Sequence, residues 1–294
     1  IGFEAVFLFA FEPLYADLRV LNVNQTQLAM IVLYFAVRVW GDPPFDDLLG
    51  GMVLALACLF KPNLAPAVAL LAIYWLIDRR PRTLAGHAIG GVVGAGLGLA
   101  ASGLYFGGLT PWLEWAKALQ GLPEAWIPVR IGNFSLAAVL LERTGRGLSA
   151  VLLGGFAVLA VVVLTRRSRR PADDGMFVGL RSTGAERDLR VVSIGVLVYL
   201  LGAGLVWQHY YLLTVPAFYL AAQPAAGRFL ASWRWLLLGL AFLPHVANSW
   251  LRHAIASGPQ AFTLEIAAGT LILLALLLGD RALGRRTPGW PGID

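Results

Sequence analysis

Residues 47–82 read DLLGGMVLALACLF-KPN-LAPAVALLAIYWLI-DRRPR, two apolar runs split by Lys61-Pro62-Asn63 and closed by a basic cluster. As a single helix the apolar part would be about 45 Å long, against a hydrocarbon core of about 30 Å. It would also carry Arg79 and Arg80 to the side opposite the other arginine clusters. The chain therefore turns at Lys61-Pro62-Asn63, and two short helices replace one long one.

Outward from that stretch, apolar runs occupy 1–11, 26–40, 84–106, 147–164, 191–206, 210–222, 235–250 and 262–279. Strand alternation is absent and alanine and glycine abound, which predicts helices. Hydrophobic residues make up 58% of the 294 and charged residues 14%, and mean hydropathy is +0.71. Soluble domains carry about 25% charged residues, so a soluble domain is excluded. The expectation is an all-α polytopic membrane protein with about ten transmembrane helices, forming a single transmembrane domain over 1–294. The run Ile1–Phe11 falls short of the roughly 20 residues a span needs. It reads as the tail of a helix that begins upstream. Gly90, Gly91, Gly94, Gly96 and Gly98 share one run and predict close helix–helix packing. The lone Cys58 lies in an apolar run and reads as packing.

The net charge of +6 does not point to nucleic acid, because the basic residues lie in turns between apolar runs. Arg79 with Arg80 and Arg82, Arg166 with Arg167, Arg169 and Arg170, Arg228 with Arg234, and Arg281 with Arg285 and Arg286 form four clusters. Strict alternation puts all four on one side with Arg38, and the positive-inside rule makes that side cytoplasmic. Residues 166–190, with Pro171, Asp173, Asp174 and Gly175, read as a mobile cytoplasmic linker. Residues 107–146 read as an outer loop in which Trp112, Trp115 and Trp126 predict interfacial helices.

The same threading gathers Asn22, Asn24, Gln25, Gln27, Lys61, Asn63, Asn133, Gln208, His209 and His245 on the outer face. Lys61 is one of two lysines and ends an apolar run. A lysine there costs about 2.5 kcal/mol or more if it lies in hydrocarbon without a partner. A lipid phosphate is one such partner, and snorkelling to the interface is the alternative. His209, inside Trp207-Gln208-His209-Tyr210-Tyr211, can donate to a phosphate or sugar or shuttle a proton; an incidental histidine in an aromatic belt is the alternative. His87, His245 and His253 read as structural. The amides at Asn24, Gln25, Gln27 and Asn133 either cap helices or bind sugar hydroxyls. Glu12, Asp17, Glu114, Glu124, Glu142 and Glu265 are the outer carboxylates, and Asp17 is nearest the amide cluster. No two histidines are spaced as ligands on one helix, so neither metal nor cofactor is read.

Four segments in order resemble a known family. Asn24-Gln25-Thr26-Gln27 is similar to its Gly-Gln-x-Asn element, and Phe60-Lys61-Pro62 before Asp78-Arg79-Arg80-Pro81-Arg82 to its apolar-Lys-Pro segment. Gly132-Asn133-Phe134-Ser135-Leu136 is similar to its Gly-Asn-Gln-Ser-Leu element, and Trp207-Gln208-His209-Tyr210 to its Trp-x-His-His segment. The family is the GT-C-type glycosyltransferases of family 87, the polyprenyl-phosphate-mannose-dependent alpha-mannosyltransferases. The chain departs from it at Asn24, Gln27, Phe134 and Tyr210.

The resemblance implies a GT-C-like helical bundle in the cell membrane. It implies transfer of a hexose, mannose above others, from a polyprenyl-phosphate sugar donor to a lipid or glycan acceptor on the extracytoplasmic face. The displacement would be inverting and metal-independent. His209 and Asp17 are the catalytic candidates, with the family's base expected upstream of residue 1. Lys61 and His209 would hold the donor phosphate. Asn24, Gln25, Gln27, Asn133, Trp207 and Tyr210 would bind substrate. A lipid or small-molecule transporter or flippase is the rival reading; it predicts polar groups near the bilayer midplane.

Overall fold

The computed structural model of the protein describes residues 10–20, 23–42, 44–120, 128–129, 132–168, 180–222, 228–246 and 258–279. Every regular element among them is helical. Five helices open the chain: α1 (Glu12–Val20), α2 (Asn24–Trp40), α3 (Phe45–Phe60), α4 (Ala65–Ile77) and α5 (Pro81–Phe106). Two shorter ones, α6 (Thr110–Gln120) and α7 (Leu136–Thr144), precede α8 (Ser149–Ser168) and α9 (Leu180–Gly202). A 3-10 segment, Gln208–Thr214, leads into α10 (Val215–Ala222). α11 (Arg228–Phe242), a 3-10 turn at Leu243–His245 and α12 (Pro259–Gly279) complete the described chain.

The turn at Lys61 has a local cause. Proline at 62 disfavours helical geometry in the residue before it, and Lys61 is extended at φ −164°, ψ 125°. One 3-10 turn, Pro62–Leu64, then starts α4 in the opposite direction. α2, α3 and α4 thus run back and forth between two ends. α9 fills the space beside them and packs on α4, α8 and α12. The core between the ends is apolar: Ile31 and Tyr34 of α2, Leu54 of α3, Leu71 of α4, and Ile194 and Leu197 of α9 are all buried.

α5 crosses α3 at very short range. A Cβ on Gly90 would overlap the Leu48 carbonyl, and one on Gly94 would stand 2.7 Å from Met52 Cα. Glycine at these crossings lets the backbones touch. Gly98 faces Leu59 and Leu56 of α3, whereas a Cβ on Gly96 would meet nothing within 4 Å. On the outward sides Ile89, Val92, Leu97 and Leu104 of α5 and Val151, Val158 and Leu159 of α8 are exposed. Continuous apolar faces of this extent belong in lipid, which makes this a membrane protein.

The expected bundle of about ten transmembrane helices is corrected. Among the described residues three helices are long and apolar enough to cross a membrane: Pro81–Phe106, Ser149–Arg166 and Pro259–Gly279. Counting apolar runs overstates spans for two reasons. α2, α3, α4 and α11 have 17, 16, 13 and 15 residues, and at about 1.5 Å per residue none covers a core of about 30 Å alone. The run 210–222 is split between a 3-10 segment and an eight-residue helix.

A second difference lies within 166–190. Residues 180–190 are the first turns of α9, and Asp188 and Arg190 are buried. Asp188 accepts from Trp75 Nε1 at 3.0 Å, Arg80 at 2.9 Å and Arg38 at 3.2 Å. Arg38 also pairs with Asp46 at 2.7 Å and with Asp47. Neutralised in this way, a charged segment is packed rather than solvated. Arg167, Arg169, Arg170, Pro171, Asp173, Asp174 and Gly175 have side chains outside the described residues.

Candidate functional site

Both ends of the α2–α3–α4 zigzag are polar, and they differ in kind. One end carries the buried Arg38–Asp46–Asp188–Arg80 network, with His87 beside it, 4.2 Å from the Trp75 ring. Its charges neutralise one another. The other end, about 21 Å away along α2 from Arg38 to Asn24, holds among the described residues amides together with Lys61, His209 and Asp17.

α1 supplies Asp17, which is fully buried. Its Oδ1 accepts from Asn24 Nδ2 at 2.8 Å and its Oδ2 from the Gln25 backbone N–H at 3.3 Å. The Asn24 amide also donates to the His209 carbonyl at 3.2 Å, which ties the start of α2 to the 3-10 segment. Asn24 Oδ1 in turn accepts from Lys61 Nζ at 3.3 Å. The same ammonium stands 3.6 Å from the centroid of the Tyr210 ring, a cation–π seat. One amide therefore separates the cation of Lys61 from the carboxylate of Asp17.

Burial sets the titration of these groups. It lowers Lys61 to about 8, against a smaller opposing pull from Asp17. It lowers His209 to about 4, and the Lys61 charge adds to that. Asp17 is raised by burial, partly offset by the Asn24 and Gln25 hydrogen bonds and by Lys61. At neutral pH His209 is an uncharged donor or acceptor, and Lys61 is the cation.

Gln27, one turn along α2, is fully buried. Its Nε2 lies 3.0 Å from Ala57 O, 2.9 Å from Lys61 O and 2.8 Å from Asn63 Oδ1. These are acceptors of the turn itself.

Asn133 and Trp207 form a second group, joined as an isolated antiparallel bridge. Asn133 is fully buried; its Oδ1 accepts from Val206 N at 2.9 Å and Ser135 N at 3.1 Å, and its Nδ2 donates to Gly204 O at 3.0 Å. Ser135 caps α7 by accepting from Ala138 N at 3.2 Å. The Trp207 ring lies against Gly132, which has φ +94°. This clip fixes the strand-like segment that leads into His209.

The structure thus brings together Asp17, Asn24, Gln25, Gln27, Lys61, Asn63, His209 and Tyr210, with Asn133 and Trp207 beside them. It separates Glu142, which accepts from Val129 N and Gln260, and Glu12, which pairs with Arg19. His245 is packed among the rings of Phe11, Tyr211 and Phe218. Asn22, Glu124, Trp126 and His253 lie outside the described residues. Sequence reasoning missed the Asp188 network, whose members lie as far as 150 residues apart and share no local pattern.

The model of glycosyltransferase family 87 matches residues 3–185. No curated protein and no solved structure matches the chain.

Proposed function

The chain belongs to glycosyltransferase family 87, and from that premise we propose that it moves a hexose from a polyprenyl-phosphate donor to an extracytoplasmic acceptor. Membership makes it a sugar-transferring enzyme, and its exposed apolar helices make it a membrane protein. The lipid-phosphate donor, mannose as the hexose, a lipid or glycan acceptor and the face on which they meet are the proposal.

The observation that carries the reading is the seat of Lys61. The Lys61 ammonium, held by Asn24 Oδ1 and the Tyr210 ring, closes a helix end beside a neutral histidine. Such a cation suits an anionic group arriving from lipid at headgroup depth. In this reading the acceptor hydroxyl attacks C1 of the sugar and gives up its proton to a carboxylate, for which Asp17 is the candidate. The bond from C1 to the phosphate oxygen breaks. The charge left on the polyprenyl phosphate is held by Lys61 and by a hydrogen bond from His209. Asn24 holds Asp17 and Lys61 in place, Gln25 faces the sugar, and Trp207 offers it an aromatic surface. The Arg38–Arg80 end is then cytoplasmic and the Lys61 end extracytoplasmic.

The test is transfer of radiolabel from a polyprenyl-phosphate hexose by the protein in lipid vesicles containing cell-envelope lipids. Label should move into lipid or glycan, and Lys61→Ala should suppress it at least tenfold. Equal transfer by wild type and Lys61→Ala refutes the reading.

A further inference from the structure

We infer that Gln27 is a positioning residue for Lys61: its side-chain amide caps the broken end of α3 and aims the lysine into the site, rather than binding sugar. The role of Lys61 toward phosphate rests on the function proposed above; its placement by Gln27 does not.

Ending a helix at Lys61-Pro62 creates a specific difficulty. The last carbonyls of α3 lose their intrahelical partners, Pro62 has no N–H to offer, and Lys61 is extended. Ala57 is buried and the Lys61 carbonyl is partly buried, so another element is needed to serve them. Gln27 does so from α2, with Nε2 at 3.0 Å from Ala57 O and 2.9 Å from Lys61 O. Its third neighbour, Asn63 Oδ1 at 2.8 Å, belongs to the following 3-10 turn. The two N–H groups of one amide are thus shared among a carbonyl one helical turn before the break, the carbonyl at the break and the turn beyond it.

Gln27 lies three residues after Asn24, on the same face of α2. That face therefore holds Lys61 at both ends, Gln27 by the main chain and Asn24 by the ammonium at 3.3 Å. With the backbone fixed, the side chain reaches over the Tyr210 ring. Fully buried as it is, Gln27 has its donors turned to two backbone carbonyls and the Asn63 side chain. Among the described residues the titratable groups facing Lys61 are Asp17 from α1 and His209 and Tyr210 from the 3-10 segment.

Lys61 and Lys117 are the two lysines of the chain, so in a Lys117→Arg background one lysine reports. The experiment measures the rate of Lys61 acylation by a neutral amine reagent from pH 6 to 11, read by mass spectrometry of the peptide that carries it. With Gln27 intact the midpoint should lie near 8. Gln27→Met keeps the volume but cannot donate. It should release Lys61 toward water and raise the midpoint toward the ordinary lysine value of about 10.4. Gln27→Asn, which keeps the amide on a shorter arm, should fall between the two and carries the comparison if the methionine variant does not fold. An unchanged midpoint in the folded variants overturns the inference, since a purely structural glutamine would alter yield and not this titration. Because no donor is present, the result stands apart from the proposed function: loss of transfer in Lys61→Ala beside an unmoved midpoint in Gln27→Met would sink the positioning role alone.

Discussion

Replacing Lys61 with methionine should weaken donor binding and also erase a specific pH dependence. The substitution keeps most of the length of the side chain and removes the charge that stands 3.6 Å from the centroid of the Tyr210 ring. A charge-assisted hydrogen bond to phosphate is worth about 1.5–3 kcal/mol, or roughly ten- to a hundredfold in affinity at pH 7. With Lys61 titrating at about 8, about nine-tenths of the protein carries the ammonium at pH 7 and about one-tenth at pH 9. The charged form is the binding form, so wild-type affinity holds below pH 8 and falls roughly tenfold between pH 7 and 9. Lys61→Met should start weak and show no such fall. Lys61→Arg keeps its charge across the whole range. It should recover part of the affinity and also lose the alkaline fall.

A further consequence follows on the acid side. The Lys61 charge is one of the influences that lower Asp17, so its removal should move the acid limb of transfer upward in pH. Equilibrium binding of a radiolabelled polyprenyl-phosphate hexose to the protein in nanodiscs, from pH 6 to 10, measures the first effect. Transfer rates over the same range measure the second. If Lys61→Met binds within twofold of wild type at pH 7, or still loses affinity above pH 8, the ammonium is not the phosphate partner.

Other expectations are independent of that one. In a Cys58→Ala background, a cysteine at Leu109 should react with an impermeant thiol reagent in sealed cells and one at Arg82 should not, since α5 connects the two ends; the reverse pattern would invert the topology. Asp188→Ala should lower stability by about 3 kcal/mol, because Arg80 and Trp75 lose their common acceptor in a buried network; thermal unfolding in detergent would show it, with donor affinity unchanged. Gly90→Ala should cost about 1–3 kcal/mol by forcing α5 off the Leu48 carbonyl, whereas Gly96→Ala, open on that side, should change the melting temperature little.

What was legible in the sequence is what depends on neighbours in sequence. Lys61-Pro62 announces a helix end because proline acts on the residue before it, and the structure has α3 stop at Phe60. Gly90 and Gly94 announce a close crossing because glycines four apart lie on one helix face. Asn24 lies seven residues from Asp17, and the two meet. Illegible were the contacts that tertiary structure alone creates. Residues 180–190 read as a linker from their charges, because nothing in that segment reveals that Arg38, far upstream, comes to neutralise Asp188. The runs 26–40, 47–60 and 64–77 are already short in the sequence, and counting each as a span is what overstated the number that cross. Gln27 and Asn133 are polar residues on a polar face, and a sequence does not say whether an amide faces a sugar or a carbonyl of its own chain.

The placement of polarity bears on what kind of work the molecule does. A carrier must offer its cargo polar contacts at depth, typically where helices break near the midplane. Here the middle of each zigzag helix is closed by buried apolar side chains, Ile31 of α2, Leu54 of α3, Leu71 of α4 and Leu197 of α9. The break in the chain is at Lys61, at one end. The opposite end is bound up in the Arg38–Asp188–Arg80 ion pairs and presents a closed structure. A lipid-linked donor needs no passage between the two. In the proposed function its phosphate would meet Lys61 at one end while its tail remained among the exposed leucines and valines of the lipid-facing helices, and the acceptor would join it at that same end. Chemistry at one face, on a substrate that never leaves its leaflet, is what this distribution of charge and oil permits.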